Sequence, residues 1–218
     1  MIGVPMSVSD IISLTEDAKY ILRNEGWLAV IKQGCSFVRN LLFCRRDYYI
    51  YTVCDNNLNS VNIDCTPITI SSLADFDRLI AQGYDFKARS FRPKLKKEAI
   101  AFCLFVGKEL VSVTWVACSK KAKKEIDYLP FKVNYEVGVA CSGASYTVPD
   151  YRGNQLLAHT YSYILPYLAN EGFHKVKFSI NKSNITSQKA YAKIAPAIIG
   201  MGRYWKIFCW GMWRERHL

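Results

Sequence analysis

A basic turn at Arg152-Gly153-Asn154 has the composition of an anion-binding site. It follows Val137–Val148, whose β-branched, aromatic and small residues predict a strand that ends at Pro149. It precedes Gln155–Ala169, where apolar residues recur at helical spacing. The first N–H groups of a helix lack helical partners, lie at the positive end of the helix dipole and attract anions, and a glycine lets the backbone approach a ligand. The turn is therefore either a phosphate-binding turn or a plain strand-to-helix connection.

A second segment, Asn184–Lys193, carries a tyrosine on a short helix. The pattern predicts that this helix runs over Ser187–Ile194, that Pro196 stops it and that Asn184 can cap its first turn. A strand, His174–Ile180, separates this segment from the helix that follows the basic turn.

Together the two segments resemble the GNAT acyltransferase superfamily, whose members bind acetyl-CoA or another acyl-CoA. Val148–Gly153 is similar to the V-x-P-x-x-R-G turn of that family, and Asn184–Lys193 to its N-x-x-A/S-x-x-x-Y-x-K element. The family turn usually continues R-G-x-G-x-G/A, whereas this chain has Gln155 and Leu157 at the two later small positions. It also has Ala-Pro at 195–196, where the family usually has Gly-Phe. The resemblance covers about residues 65–213.

The resemblance implies a binding site for acetyl-CoA or another acyl-CoA. Backbone N–H groups near Thr147 would bind the pantetheine arm as an added strand, and one of them would polarise the thioester carbonyl. The implied cofactor-binding residues are Tyr146, Thr147, Val148, Arg152, Gly153, Asn154, Gln155, Leu156, Leu157, Asn184, Ser187 and Tyr191.

The resemblance also implies an acid and a base for transfer to an amine. A phenol near the sulfur can protonate the leaving thiolate, which makes Tyr191 the candidate acid. Its alternative is a half-buried place in the core, since the chain has 14 tyrosines. The family often takes its base from the fourth strand, where Glu136 and Asp127 are the nearby carboxylates. Glu136 is the predicted base, and its alternative is a surface charge at a strand end.

The fold is predicted to be α/β, a mixed and mostly antiparallel sheet of six or seven strands with helices on both faces. Ala99–Val106 and Glu109–Ala117 form a hairpin around Gly107-Lys108. The strand–helix–strand order over residues 137–180 predicts parallel pairing of the fourth and fifth strands. The resemblance implies that these two strands splay apart and that CoA enters the gap.

Residues 1–46 are predicted to be a helical extension before an acyltransferase domain at 47–218. The apolar stripe of the extension fits either packing on the core or a basic amphipathic helix on an anionic membrane. Two segments are predicted to be loops that decide which acceptor binds: Phe86–Lys97 and Ser119–Pro130.

The net charge is +11, which suits an anionic partner such as nucleic acid, a membrane surface or a phosphorylated cofactor. No recognition-helix or RNP-like pattern is present, so nucleic acid is not expected. The eight cysteines include no C-x-x-C pair and the three histidines lack ligand spacing, which predicts reduced thiols and no metal. The absence of a signal peptide and of a long apolar run predicts a cytoplasmic protein.

The resemblance thus implies an N-acyltransferase that moves an acetyl or other acyl group from acyl-CoA to an amine in a ternary complex. The alternative is an inactive module of the same fold that acts through its basic surface and N-terminal helix on a membrane or a partner.

Overall fold

The computed structural model describes residues 43–54, 64–86, 90–207 and 210–218. Eight strands lie in these ranges: β1 (Phe43–Cys54), β2 (Thr66–Ile70), β3 (Ile100–Val106), β4 (Glu109–Ala117), β5 (Val139–Thr147), β6 (Lys175–Asn181), β7 (Ala197–Ile207) and β8 (Trp210–His217). Five α-helices accompany them: α1 (Leu73–Ala81), α2 (Arg92–Leu95), α3 (Lys120–Ile126), α4 (Leu156–Asn170) and α5 (Ile185–Ala192). Short 3-10 turns at Tyr135–Val137 and Pro149–Tyr151 flank β5.

All eight strands belong to one sheet in the order β2-β3-β4-β5-β6-β1-β7-β8. The pairs β2–β3, β3–β4, β4–β5 and β1–β6 are antiparallel, and β5–β6 is parallel. This confirms the mixed, mostly antiparallel α/β fold with one parallel pair. The sheet has eight strands where six or seven were predicted.

The parallel pairing between β5 and β6 is short. It joins Val139–Cys141 to Lys175–Lys177. Beyond that point β5 continues to Thr147 along β4, and β6 continues to Asn181 along β1. In the described part of the chain, no residue pair joins the two strands past Cys141 and Lys177. A gap therefore opens between them toward their carboxyl ends.

The two faces of the sheet bear different helices. Paired residues share a face and successive residues alternate between faces. The α4 face contains Ser142 and Phe178, and its buried cluster includes Tyr161 and Ile164 of α4 and Tyr191 of α5. The α3 face contains Gly143 and Ser179. On this face the Ile126 carbonyl, at the end of α3, approaches Gly143 of β5. Both faces are covered, so the central strand β4 is buried at every residue after Glu109.

Aromatic side chains pack α1 and the α2 segment onto the α3 face. Phe76 and Phe91 stack with ring centroids 5.2 Å apart, and Phe91 lies 5.0 Å from Trp115 of β4. Trp115 pairs with Gly143, which places it on that face. Truncating a fully buried aromatic such as Phe91 typically costs about 3–5 kcal/mol of stability.

Two segments that were expected to be loops contain helices. Residues 119–125 were expected to be a lysine-rich loop, yet α3 spans Lys120–Ile126. The reason is local, because the Ser119 side chain accepts a hydrogen bond from the Ala122 N–H and caps the helix. Burial of Ala122 and Ile126 then fixes the helix against the sheet. The Phe86–Lys97 segment contains the single turn α2, with Pro93 in its first turn.

The first strand begins before the predicted domain boundary. Phe43–Arg46 already belongs to β1, and residues 1–42 of the predicted helical extension lie outside the described residues. The division at residue 46 stays a prediction.

Tyr48–Gly202 and Glu215–Leu218 form one compact unit, and all the residues of the candidate site belong to it. Arg203–Arg214 belongs to a second unit, which also includes Asp47. Within that unit the Arg203 guanidinium donates to the Asp47 carboxylate at 2.5 Å and lies 5.7 Å from the Trp205 ring.

Candidate active site

Tyr191 crosses from the β6 side of the gap to the β5 side. It projects from α5, and its ring packs 4.4 Å from Phe178 of β6 and 5.9 Å from Tyr161 of α4. Its hydroxyl lies 3.0 Å from Ser145 Oγ of β5. Burial is the main cause that raises the pKa of Tyr191, so the phenol remains protonated at neutral pH. A proton donor therefore lies at the opening between the two strands.

A β-bulge places Ser145 beside Tyr191. Trp115 of β4 pairs with Gly143 and Val113 pairs with Tyr146, so Ala144 and Ser145 together oppose one residue of β4. Ala144 has φ +47, a left-handed backbone conformation. A bulge takes residues out of the ladder and bends the strand. Here it turns Ser145 toward the α4 face, where its hydroxyl meets that of Tyr191.

The basic turn lies at the open end of β5. Arg152, Gly153, Asn154 and Gln155 are all exposed. Arg152 Nε donates to the Thr147 carbonyl oxygen at 3.2 Å, which folds the guanidinium back over the end of the strand. Helix α4 then begins at Leu156, and the Gln155 side chain makes no cap hydrogen bond. The first N–H groups of α4 and the Arg152 guanidinium thus belong to one exposed turn, which can attract an anion.

Two backbone positions in this turn have positive φ. Gly153 has φ +87, a conformation that glycine adopts without strain. Gln155 has φ +57 and lies at the position where the family pattern has its second glycine. The preference for glycine at that position thus has a backbone reason, and this chain supports a side chain there at a conformational cost.

The remaining predicted residues of this strand and turn have structural partners. Thr147 Oγ1 lies 3.2 Å from Ser112 Oγ, and the Val148 N–H donates to the Val111 carbonyl at 2.9 Å. Tyr146 is half-buried on the α3 face, where it pairs with Val113. Leu156 is buried against Leu104 and Val111, and Leu157 packs against the main core cluster. Leu156 and Leu157 therefore anchor the turn through packing.

Asn184 and Ser187 define the start of α5. Asn184 Oδ1 accepts a hydrogen bond from the Ser187 N–H at 3.0 Å, as the capping prediction required. Gln188 Nε2 donates to the Lys182 carbonyl at 2.8 Å and fixes the loop that leads into the helix. These bonds orient α5 so that Tyr191, one turn after Ser187, faces the gap.

The structure does not bring Glu136 and Tyr191 together. Glu136 is exposed in the 3-10 turn before Val139, at the end where β5 and β6 are paired. The Tyr191 hydroxyl lies at Ser145, toward the open end. At about 3.3 Å per residue, the strand from Val139 to Ser145 spans roughly 20 Å.

A different carboxylate, Asp127, lies beside the gap. Asp127 Oδ2 accepts a hydrogen bond from Ser179 Oγ of β6 at 3.0 Å, and Oδ1 accepts one from the Leu129 N–H at 2.8 Å. Burial raises the pKa of Asp127, and Lys123 opposes that shift. The sequence showed Asp127 only as a nearby carboxylate. The signal for its position was Gly143, because a small residue inside a strand marks a close approach.

Among the described residues, no group of three or more His, Cys, Asp or Glu side chains is arranged to hold a metal ion. None of the helices in the described ranges combines the length and apolar character needed to cross a bilayer.

Comparisons with known proteins give structural matches only. No family model matches the chain, and a search of the curated proteins finds no match. Similar solved structures include an acetyltransferase of the GNAT family from Colwellia psychrerythraea, with 14% identity over 70% of this chain and 53% of that chain at a TM-score of 0.45. A putative GNAT acetyltransferase from Novosphingobium aromaticivorans shows 11% identity over 73% of this chain and 62% of that chain, at a TM-score of 0.48. A GCN5-related N-acetyltransferase-like protein from Streptococcus suis shows 11% identity over 88% and 69%, at a TM-score of 0.45.

This chain spans between half and two thirds of the length of the first two of these structures. At such identities the likeness concerns the fold alone. What the site does depends on its own geometry.

Proposed function

We propose that the protein is an acyl-CoA-dependent N-acyltransferase, with acetyl-CoA as the preferred acyl donor. The observation that carries this proposal is the gap between β5 and β6, which opens after Cys141 and has the Tyr191 hydroxyl 3.0 Å from Ser145 Oγ at its edge. An opened parallel pair offers backbone hydrogen-bonding groups to an extended ligand, as an added strand would use them. The pantetheine arm of acyl-CoA is such a ligand.

The exposed turn that follows β5 supports the same proposal. It offers a pyrophosphate a positively charged site, made of its arginine, its glycine and the N-terminus of α4. Arg152, Gly153, Asn154 and Gln155 would contact the phosphates, while Asn184 and Ser187 would border the arm.

Tyr191 is the proposed acid of the transfer. The amine nitrogen attacks the thioester carbonyl carbon, a C–N bond forms, and the C–S bond breaks. Tyr191 donates its phenolic proton to the departing sulfur and recovers a proton from the nitrogen, directly or through solvent. Its raised pKa keeps the proton on the phenol until the thiolate develops. Backbone N–H groups of the bulge at Ala144 and Ser145 would stabilise the negative charge on the carbonyl oxygen.

The alternative of an inactive module is not favoured. The acid candidate, the gap and the basic turn all lie in one compact unit. Nothing supports a membrane contact, because that hypothesis rested on a segment of which residues 1–42 lie outside the described residues. A cytoplasmic location stays a prediction.

The test is titration calorimetry with acetyl-CoA, followed by measurement of thiol release with a panel of primary amines. Binding of acetyl-CoA and amine-dependent release of CoA are expected. The proposal would be abandoned if millimolar acetyl-CoA gave neither heat of binding nor thermal stabilisation, or if no amine released the thiol.

A further inference from the structure

We propose that Asp127 accepts the proton from the ammonium group of the acceptor, and that the acceptor reaches the gap from the α3 face of the sheet. This inference rests on the proposed acyl transfer and names the acceptor side of the same site. It replaces Glu136 as the base.

The position of Asp127 relative to the two strands carries the argument. The last paired residues of β5 and β6 are Cys141 and Lys177. Gly143 and Ser179, two residues further along each strand, would be the next pair on the same face. Instead the Asp127 carboxylate bonds to Ser179, and its Cβ lies 3.5 Å from the place a Cβ on Gly143 would occupy. Asp127 therefore lies between the strands where they separate.

Gly143 makes this position possible. A Cβ at residue 143 would lie 2.8 Å from the Ile126 carbonyl oxygen, a distance that real Cβ atoms essentially never show. The absence of a side chain lets the end of α3 rest directly on β5. The helix end then delivers the next residue, Asp127, to the gap.

Asp127 and Tyr191 approach the gap from opposite faces. Ser145, which contacts Tyr191, is two residues from Gly143 along β5, a separation of about 7 Å by strand geometry. The Asp127 carboxylate interacts electrostatically with the Tyr191 phenol and adds to burial in raising the pKa of Tyr191. A thioester in the gap would thus have a proton donor on the α4 face and a proton acceptor on the α3 face.

Two tyrosines border Asp127 on the α3 face. Tyr48 of β1 pairs with Asn181, and Ile50 pairs with Ser179, so Tyr48 is the diagonal neighbour of Ser179 on that face. The Tyr48 and Tyr128 hydroxyls lie 3.0 Å apart, and Tyr128 is 57% exposed. Tyrosine side chains near a carboxylate suit a cation, which supports an acceptor amine that arrives as an ammonium ion.

Several titratable groups surround Asp127. Lys123 of α3 is buried, and its ammonium donates to the Leu129 carbonyl and lies 4.0 Å from the Phe131 ring. Lys177 of β6 donates to the Lys132 carbonyl and to Glu215. The other groups that sense the Asp127 charge are Tyr135 before β5, Cys141 on β5 and Tyr191 on α5.

The proton transfers balance as follows. Asp127 takes one proton from the ammonium, which leaves a neutral amine and a neutral carboxylic acid. The amine lone pair forms the C–N bond, the C–S bond breaks, and the sulfur takes the Tyr191 proton. The second nitrogen proton returns to the phenol through solvent, and Asp127 releases its proton to solvent before the next turnover. The net products are an amide, CoA thiol and one proton.

The decisive variant is Asp127→Asn. The asparagine Oδ1 can still accept from the Leu129 N–H, and its Nδ2 can donate to Ser179 Oγ, so the hydrogen bonds survive without the charge. We expect kcat/KM for an alkylamine to fall by about 100-fold or more. The acetyl-CoA affinity measured by calorimetry should change by less than about twofold.

The acceptor itself provides a second readout. Hydroxylamine is neutral at pH 7.5, so its attack needs no prior deprotonation. The Asp127→Asn variant should keep most of its rate with hydroxylamine and lose it with putrescine. Loss with both acceptors would contradict a role as proton acceptor.

Glu125→Gln is the matched control, because it removes a carboxylate charge from α3 two residues before Asp127.

Glu136→Gln tests the rival base. If Glu136→Gln lost the alkylamine activity while Asp127→Asn kept it, the inference would be overturned and the acyl transfer would stand. If the wild-type protein neither bound acetyl-CoA nor released thiol, the proposed function would fail and this inference with it.

Ser179→Ala offers a test that does not depend on the folding of the first variant. The Ser179 hydrogen bond lowers the pKa of Asp127. Its removal should move the acidic limb of the kcat/KM profile to higher pH, with little change in the alkaline limb. An acidic limb that stays in place would exclude Asp127 as the titrating group.

Discussion

At the scale of single residues, the proposed transfer depends on a phenol and a carboxylate whose surroundings favour their neutral forms. Burial raises the pKa of both Tyr191 and Asp127. For the tyrosine this preserves the proton that it must donate. For the aspartate it makes the carboxylate a stronger proton acceptor, since basicity rises with pKa.

Replacing Tyr191 with phenylalanine removes the proposed proton donor and keeps the ring that packs on Phe178. We expect kcat to fall by about 100-fold, with acetyl-CoA affinity nearly unchanged, because the lost interaction acts on the departing thiolate. Thiol-release assays measure kcat, and calorimetry measures the acetyl-CoA affinity.

Tyr163→Phe, on an exposed part of α4, is the matched control. Since burial raises the pKa of Tyr191, the wild-type profile should show no alkaline limb from this residue near neutral pH. Unchanged thiol release in Tyr191→Phe would remove the residue from the acid role.

Gln155→Gly should relieve the positive φ of residue 155. The left-handed conformation costs a non-glycine residue roughly 1–2 kcal/mol, and the extra backbone entropy of glycine offsets about 0.5–1 kcal/mol of that. We therefore expect the free energy of unfolding to rise by about 1 kcal/mol or less, together with tighter acetyl-CoA binding through the smaller residue.

Asn154→Gly is the comparison, because residue 154 is not among the positive-φ positions and should lose stability. Chemical denaturation measures both variants. A loss of stability in Gln155→Gly would contradict the strain argument.

Asp127→Asn should also change how stability depends on pH. The folded-state pKa of Asp127 lies above its ordinary value of 3.8, so the folded protein binds this proton more tightly than the unfolded chain. The wild-type free energy of unfolding therefore falls as pH rises from about 4 through the raised pKa. Asparagine does not titrate, so the variant should gain relative stability across that window and hold a constant difference above it.

Chemical denaturation between pH 4 and 8 measures this difference. Glu125→Gln gives the background effect of removing one charge from the same helix. A difference that stays flat over the whole range would show that the Asp127 pKa is not raised.

At the scale of elements, the contact between α3 and β5 depends on Gly143. Gly143→Ala would place a methyl group 2.8 Å from the Ile126 carbonyl, and backbone cannot move aside as a flexible side chain can. We expect a loss of about 1–3 kcal/mol in stability. The end of α3 should shift, so acyl transfer should suffer more than acetyl-CoA binding.

Ala144→Gly is the neighbouring control, since it relieves φ +47 and adds no atoms near α3. Thermal denaturation, calorimetry and thiol release on the two variants test the expectation. Equal losses of transfer and of acetyl-CoA binding in Gly143→Ala would contradict it.

The elements also show which parts of the fold the sequence could predict. The hairpin of β3 and β4 was predicted with the correct turn, because two β-rich runs surround Gly107 and Lys108. The parallel pairing of β5 and β6 was predicted from the helix that lies between these two strands in the chain. Helix α3 was missed because its four lysines suggested a solvated loop, although Ser119 carried the capping signal and Ala122 and Ile126 the apolar spacing.

The site was predictable where its chemistry is local and unpredictable where it depends on packing. The turn at Arg152-Gly153 and the Tyr191 helix are continuous segments, so their patterns could be read directly. The contact of Asp127 with Ser179 joins residues 52 apart in the chain, and it exists because α3 rests on Gly143. No spacing rule predicts such a contact, so the sequence favoured Glu136, at the start of the strand, as the base.

At the scale of the whole molecule, the net charge of +11 bears on the anionic ligand. Screening shortens the range of these charges from about 10 Å at 0.1 M salt to about 3 Å at 1 M. We expect acetyl-CoA binding to weaken by several-fold over that range. S-Acetylpantetheine, which lacks the phosphates, should bind more weakly overall and show little dependence on salt.

Calorimetry with both ligands over the salt series tests this expectation. Equal salt dependence for the two ligands would mean that the phosphates do not meet the positive turn after β5.

The bond between Tyr191 and Ser145 has one more consequence. Tyr191 packs on Phe178 of β6, whereas Ser145 belongs to β5, and the two strands share three residue pairs. Beyond these pairs, a contact between two side-chain hydroxyls joins the strands on the α4 face. A ligand that enters between the strands competes for this contact, so we expect binding of the acyl donor to free the phenol to turn its proton toward sulfur.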